Sequence, residues 1–429
     1  MTLSWLSIFR LGLVQMCLGA IVVLTTSTLN RLMVVELALP AVLPGLLVAL
    51  HYGIQITRPN WGFLSDAGGN RTLFIVGGMG VLALGGLGAA WGVALMETAF
   101  APGLAVSIAA YALIGVGVGA SGTSLLALLA TATAPRRRAA AATITWLMMI
   151  FGIAATAGTV GAFLDPYSHA LLLRIVAIVA GSAVLLTILA VWGVERGVEA
   201  QPAHDEQGFV EGLKEVWAER HARNFTIFVF LSMTAYFMQE LILEPYAGLV
   251  FGLTPGQSTS LSGAQNGGVF VGMLLVGIAA TGLRIGSLRS WVIAGCLGSA
   301  ASLAAITVAG SAGISAGLMP GVVALGMFNG MFAVAAIGSM MALAGEGRES
   351  REGTRMGLWG AAQAIAAGFG GLTGAAAADV MRTVVASDAT AFGTVFLAEA
   401  ALFLVAAAMA AKVIQTARAP GRAAMMPGE

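Results

Sequence analysis

The stretch RAAAATITWLMMIFGIAATAGTVG, Arg138 to Gly161, returns in altered form 213 positions later as REGTRMGLWGAAQAIAAGFGGLTG, Arg351 to Gly374. Arg138 falls on Arg351, Trp146 on Trp359, Gly158 on Gly371 and Gly161 on Gly374. Small residues coincide easily in apolar segments, but an arginine and a tryptophan at fixed spacing do not. The fourth loop and fifth helix thus correspond to the tenth loop and eleventh helix, and the chain reads as a parallel repeat of one six-helix unit.

Composition sets the solvent of that unit. The 429 residues are 58% hydrophobic and 10% charged, with a mean hydropathy of +0.91, which marks an integral membrane protein. Apolar runs broken near Leu37, Trp61, Glu97, Pro135, Asp165, Glu195, Thr254, Arg284, Ser311, Glu346 and Asp379 predict twelve spans. The first run is already of span length, so the N-terminus is not expected to be a cleaved signal. With the N-terminus inside, 18 of the 21 lysines and arginines fall on the inner side, leaving Arg31, Arg174 and Arg382 outside. Both termini are therefore expected in the cytoplasm. A net charge of +1 and two lysines exclude a nucleic-acid surface. Cys17 and Cys296, inside apolar runs, imply no disulfide.

The expected organisation is an N-terminal six-helix bundle (1–194), a cytoplasmic linker (195–223) and a C-terminal six-helix bundle (224–429). In the linker Phe209, Leu213, Val216 and Trp217 recur at helical spacing opposite Glu211, Lys214, Glu215 and Glu219, the pattern of a helix lying on the membrane surface. The loop between spans two and three, GFLSDAGGNR, resembles the G-x-L-x-D-x-x-G-x-[RK] loop of the major facilitator superfamily at Gly62, Leu64, Asp66, Gly69 and Arg71. The family's basic residues are absent at Ala67 and Asn70, and the equivalent loop from Gly277 to Arg289 is degenerate. Parallel repeat and loop together imply an all-α facilitator fold with a cavity between its halves.

Three stretches narrow the resemblance: TLNRLMVVEL (Thr28 to Leu37), EPYAGLVFG (Glu244 to Gly252) and RMGLWGAAQAIAAG (Arg355 to Gly368) are similar to the PucC-type family of phototrophic bacteria, whose older members carry the label bacteriochlorophyll synthase chain. The similarity runs over essentially the whole chain. It implies a photosynthetic inner membrane and a role in assembling light-harvesting antenna complexes, with bacteriochlorophyll as cargo and antenna polypeptides and pigment-synthesis enzymes as partners. A secondary transporter of a tetrapyrrole or another hydrophobic small molecule is the alternative, and an enzyme of pigment synthesis a third.

The residues limit these options. Five scattered aspartates, Asp66, Asp165, Asp205, Asp379 and Asp388, give a prenyl-diphosphate transferase nowhere to hold magnesium. No phosphate loop, nucleophile set or metal cluster is present. Intramembrane polar groups are expected to line a cavity or to join helices: His51, Gln55, Gln239, Glu240, Gln265, Asn266, Asn329 and Gln363. His51 reads either as a ligand for a chlorin magnesium or as a packing histidine. Glu240 and Glu244 share one stripe of span seven, and a charge in mid-bilayer costs roughly 2.5 to 3.5 kcal/mol on insertion scales, so they must face protein or water. Because the repeat lays Arg31 on Glu244, these two are expected to pair across the outer mouth with Glu36 nearby, while Pro245 interrupts the helix. The runs Gly115–Gly122 and Gly368–Gly374 read as close-packing faces.

Overall fold

The computed structural model describes residues 3–58, 61, 70–134, 137–195, 217–283, 285–345 and 352–414. Every regular element among them is helical. The helices are α1 (Trp5–Glu36), α2 (Val42–Thr57), α3 (Arg71–Met96), α4 (Phe100–Ala132), α5 (Arg138–Phe163), α6 (His169–Val191), α7 in two pieces (α7a, Arg220–Met238; α7b, Leu243–Phe251), α8 (Pro255–Val276), α9 (Leu288–Ser311), α10 (Leu318–Gly345), α11 (Glu352–Val384) and α12 (Asp388–Val413). Among the described residues eleven spans are long and apolar enough to cross a bilayer, and α2 is shorter. Residues 196–216, with most of the expected surface helix, and Gly62, Asp66 and Gly69 lie outside the described residues.

Helix ends follow local chemistry. Thr254 and Gln257 form a capping box with Pro255 in the first turn of α8, and Ser287 and Ser290 form another on α9. Arg71, the described member of the loop motif, opens α3, where Glu195 accepts from the Arg71 and Thr72 amides at 3.0 and 2.9 Å. Outward faces present Leu73, Leu84, Ile178, Leu185, Val308 and Val380, a surface suited to lipid. Lipid is as apolar as leucine, so close van der Waals packing must hold the helices together. Glycine supplies it where α8 crosses α10. A β-carbon on Gly272 would stand 2.0 Å from the Met327 carbonyl, and one on Gly326 2.0 Å from that of Gln265.

Two large buried clusters result. One gathers Leu3 through Val194 and borrows Leu241 from the α7 break, while the other gathers Phe225 through Ile414 and borrows Val34 and Ala41. At the end bearing the α5–α6 and α7–α8 connections, here the distal end, two aspartates join them reciprocally. Asp379 of α11 accepts from the Ala41 and Val42 amides at the start of α2, at 2.9 and 2.7 Å. Asp165, just past α5, accepts from the Thr254 hydroxyl and, at 3.1 Å, from the Gly256 amide at the start of α8. The repeat shift carries Ala41 and Val42 onto Thr254 and Pro255, and Asp165 to within one residue of Asp379. The two contacts are mates across the pseudo-two-fold axis. Each satisfies helix N-terminal amides with a carboxylate on the favourable side of the helix dipole.

Candidate functional site

The site is the crossing of α1 and α7. Helix α7 stops at Met238, turns through Gln239–Ile242 and restarts at Leu243. Pro245 explains the break: it has no N–H to return to the Leu241 carbonyl four residues earlier. Burying that carbonyl unpaired would be costly. Asn30 of α1 fills the gap, its Nδ2 donating to Leu241 O at 2.7 Å.

Helix α1 accommodates the crossing differently. It stays continuous but widens into π-helical turns at Leu24–Thr28 and Leu32–Glu36. Within the first, the Thr25 carbonyl accepts from the Tyr111 hydroxyl of α4 at 2.8 Å. The same turn aims hydroxyls at the other half. Ser27 Oγ donates to Glu244 Oε1, and the Thr28 and Thr259 hydroxyls meet at 3.3 Å. Glu244 is 2% exposed and begins α7b, where the helix dipole favours a negative charge.

The charge pairing differs from the sequence expectation. Arg31, 2% exposed, ion-pairs through Nη1 with Glu36 and donates Nη2 to the Leu253 carbonyl at 2.8 Å, while Glu244 takes the Ser27 hydroxyl. The repeat identifies equivalent positions, and equivalents need not be neighbours. Shifted back by 213, Glu244 and Leu241 become positions 31 and 28, which with Ser27 and Asn30 sit evenly about Leu29. Two helices crossing at a two-fold axis pair residues on opposite sides of the crossing point, so Arg31 and Glu244 share no hydrogen bond, although the guanidinium stays within electrostatic reach of the carboxylate. Outside the spans, beside Arg31 and Glu36, burial and then the Glu36 and Glu97 carboxylates push the Tyr167 phenol up to about 12. It pairs, still protonated, with His169 Nδ1 at 2.8 Å.

Toward the end carrying the chain termini, an aromatic strip spans α2 and α7a. His51 and Tyr52 rings stand 4.7 Å apart, Tyr52 and Phe237 6.1 Å, and Tyr236 and Phe237 5.0 Å. Glu240 lies within electrostatic reach of Tyr52 and Tyr236, with Thr26 beside it. Thus His51, Gln55 and Glu240 do come to one region. His51, however, is 3% exposed, and its Nε2 lies 3.0 Å from Gln55 Nε2. An amide nitrogen only donates, so the imidazole lone pair is used there and the ring has no open face for a macrocycle. Gln55 Oε1 in turn accepts from Arg58.

The remaining polar residues lie in the α7 break and on α8, α10 and α11. Gln239 is buried in the α7 break, and Gln265, Asn266 and Gln363 are half-buried on α8 and α11. Asn266 donates back to the Ser262 carbonyl at 3.0 Å. Asn329 is not a cavity residue: fully buried, it accepts from Ser299 Oγ at 2.7 Å and joins α10 to α9. Sequence reading passed over Asn30 and Ser27, and also Glu399 of α12, which is fully buried with neither carboxylate oxygen hydrogen-bonded. A glutamate amid FLAEAALFL was the available signal. No group of three or more His, Cys, Asp or Glu side chains is placed to hold a metal ion among the described residues.

These features define an all-helical, multi-pass membrane protein of the facilitator fold. Two solved transporters superpose on nearly its whole length. A bacterial homolog of the human lysosomal transporter Spinster, inward-facing and unoccupied, gives a TM-score of 0.70 at 15% identity over 95% of this chain and 97% of its own. A mutant form of the nucleoside transporter NupG gives 0.70 at 14% identity over 96% and 99%. The sequence pattern of the family described as PUCC protein matches residues 28–418, and the chain belongs to that family. It is 68% identical, over the full length of both chains, to the bacteriochlorophyll synthase 44.5 kDa chain of Rhodobacter capsulatus. To Protein PucC of Cereibacter sphaeroides it is 28% identical over 84% of this chain and 81% of the relative.

Proposed function

We propose that the protein is a membrane assembly factor for light-harvesting complexes, handling bacteriochlorophyll or a close tetrapyrrole precursor on its way to antenna subunits. The observation that carries the reading is full-length similarity at 68% identity to a chain named for bacteriochlorophyll synthesis. Two features support it: a fold shared with transporters, and an aromatic strip, Tyr52, Phe237 and Tyr236, crossing between the halves beside one carboxylate, Glu240. Stacked aromatics with few polar groups suit a flat apolar ligand. Gln55, Gln239, Gln265, Asn266 and Gln363 supply its polar margin, and Arg31, Glu36 and Glu244 its outer gate. The arginine distribution supports a cytoplasmic location for both termini. Its scattered aspartates argue against a prenyl-diphosphate transfer step in the chain itself.

Deleting the chain is expected to lower assembled antenna absorbance while bacteriochlorophyll is still made, and mildly solubilised protein is expected to carry a far-red chromophore identifiable by mass spectrometry. Accumulation of unesterified pigment in the deletion strain, with purified protein restoring esterification, would overturn the reading in favour of an enzyme. The transporter reading, favoured by the structural neighbours, predicts tetrapyrrole movement across proteoliposomes without copurifying antenna polypeptides.

A further inference from the structure

We infer that the α1/α7 crossing is a binding site for a small monovalent cation, held by Glu244, Asn30 and Gln239. The crossing leaves three buried oxygens without a donor: Glu244 Oε2, Asn30 Oδ1 and Gln239 Oε1, on side chains that are 2%, 0% and 2% exposed. All three are tied to the α7 break. Gln239 opens it, Asn30 is fixed by its own amide to the break's Leu241 carbonyl, and Glu244 stands two residues beyond it. The hydrogen bond orients Asn30 so that its amide nitrogen is used and its oxygen is the free atom. Unpaired acceptors, and not donors, are what a cation requires.

The surrounding charge agrees. Four ionisable side chains of α1 and α7 sit about the crossing: Arg31, Glu36, Glu240 and Glu244. The one cation is committed to Glu36 and to the Leu253 carbonyl, and its unpartnered Nε lies against Gly248, one turn beyond Glu244. Tyr111 of α4 and Thr259 of α8 offer neutral hydroxyls, as Ser27 does from α1 itself, and Tyr167 a neutral phenol. Glu244 takes the Ser27 hydroxyl, with Ser262 beside it and Arg31 within electrostatic reach, and its Oε2 accepts from no donor. The C-terminal end of α7a, at Gln239, adds the negative end of a helix dipole. One carboxylate with two amide oxygens suits a monovalent ion; a divalent metal would want more carboxylates. The site shares Gln239 and Glu244 with the proposed margin and gate, and sodium binding there is read without pigment.

The test uses the full-length purified protein in detergent at fixed pH and ionic strength, with sodium, potassium or choline chloride. The expected result is saturable binding of radioactive sodium, displaced by unlabelled sodium and not by choline, with a matching rise in thermal midpoint. Glu244→Gln, which keeps an acceptor for Ser27, is expected to abolish it, and Gln239→Leu to weaken it about tenfold. Wild-type protein that binds no sodium or potassium above the choline control overturns the proposal, whether or not any variant folds. So does undiminished binding by folded Glu244→Gln, or stabilisation by acid alone with no alkali-ion response, which would make the site a proton site.

Discussion

Helices α1 and α7 are equivalents in the repeat, yet one bends without breaking and the other breaks. Both meet at the pseudo-axis, and both must free carbonyls there. In α1 the chain widens into π turns. In α7 it is interrupted from Gln239 to Ile242. The position equivalent to Pro245 is Leu32, which retains its N–H, and the position equivalent to Asn30 is Leu243. A single imino acid separates the two outcomes, and a single amide side chain on the opposite helix repairs the worse one. The halves are thus matched in architecture and complementary in chemistry. The charged pair of positions, Arg31 and Glu244, follows the same rule, since equivalents carry opposite signs and find different partners.

The largest expected effect probes those partners. Glu36→Gln should cost about 3 kcal/mol, because it strands a buried guanidinium. Arg31→Gln should cost less, since Glu36 keeps 42% of its side chain exposed and can turn to water. Glu244→Gln retains the Ser27 hydrogen bond and should cost least. Thermal midpoints of the three variants check the order, and a Glu244→Gln defect as large as that of Glu36→Gln would restore the direct Arg31–Glu244 pair.

Next comes the break itself. Asn30→Ala leaves the Leu241 carbonyl buried and unpaired, a loss of about 1 to 3 kcal/mol. Pro245→Ala returns an N–H to that carbonyl, so Asn30→Ala in the Pro245→Ala background should be nearly silent. Additive losses in the double variant would show that the proline does not cause the break. The smallest effect concerns the distal caps: Asp379→Asn and Asp165→Asn should each cost about 1 kcal/mol, and by similar amounts, as mates across the axis should. A loss confined to one of the two would separate the halves energetically.

What the sequence disclosed depended on whether the signal was periodic or relational. The membrane class, the spans and the repeat follow from composition and from Trp146 matching Trp359, and the structure has them. The break in α7 was half legible: Pro245 announced it, but its place, one turn earlier, follows from which carbonyl loses its donor. Partners were the least legible. Asn30 and Ser27 look like ordinary polar residues in LTTSTLNR, and only the crossing geometry gives them Leu241 and Glu244. Asn329 failed as a cavity residue for the same reason, because a helical stripe does not say which neighbour it faces.

The distal aspartates have a mechanical consequence. Two latches on opposite sides of the axis resist tilting in either direction, whereas one would act as a pivot. Each latch also hides amides at the start of a helix, which on release have no other protein partner to go to. Opening the distal mouth therefore cannot be a dry event. Water must arrive at the starts of α2 and α8 as the carboxylates leave, so the exposure of that end is tied to wetting, and both latches must let go before the halves can swing apart as rigid bodies.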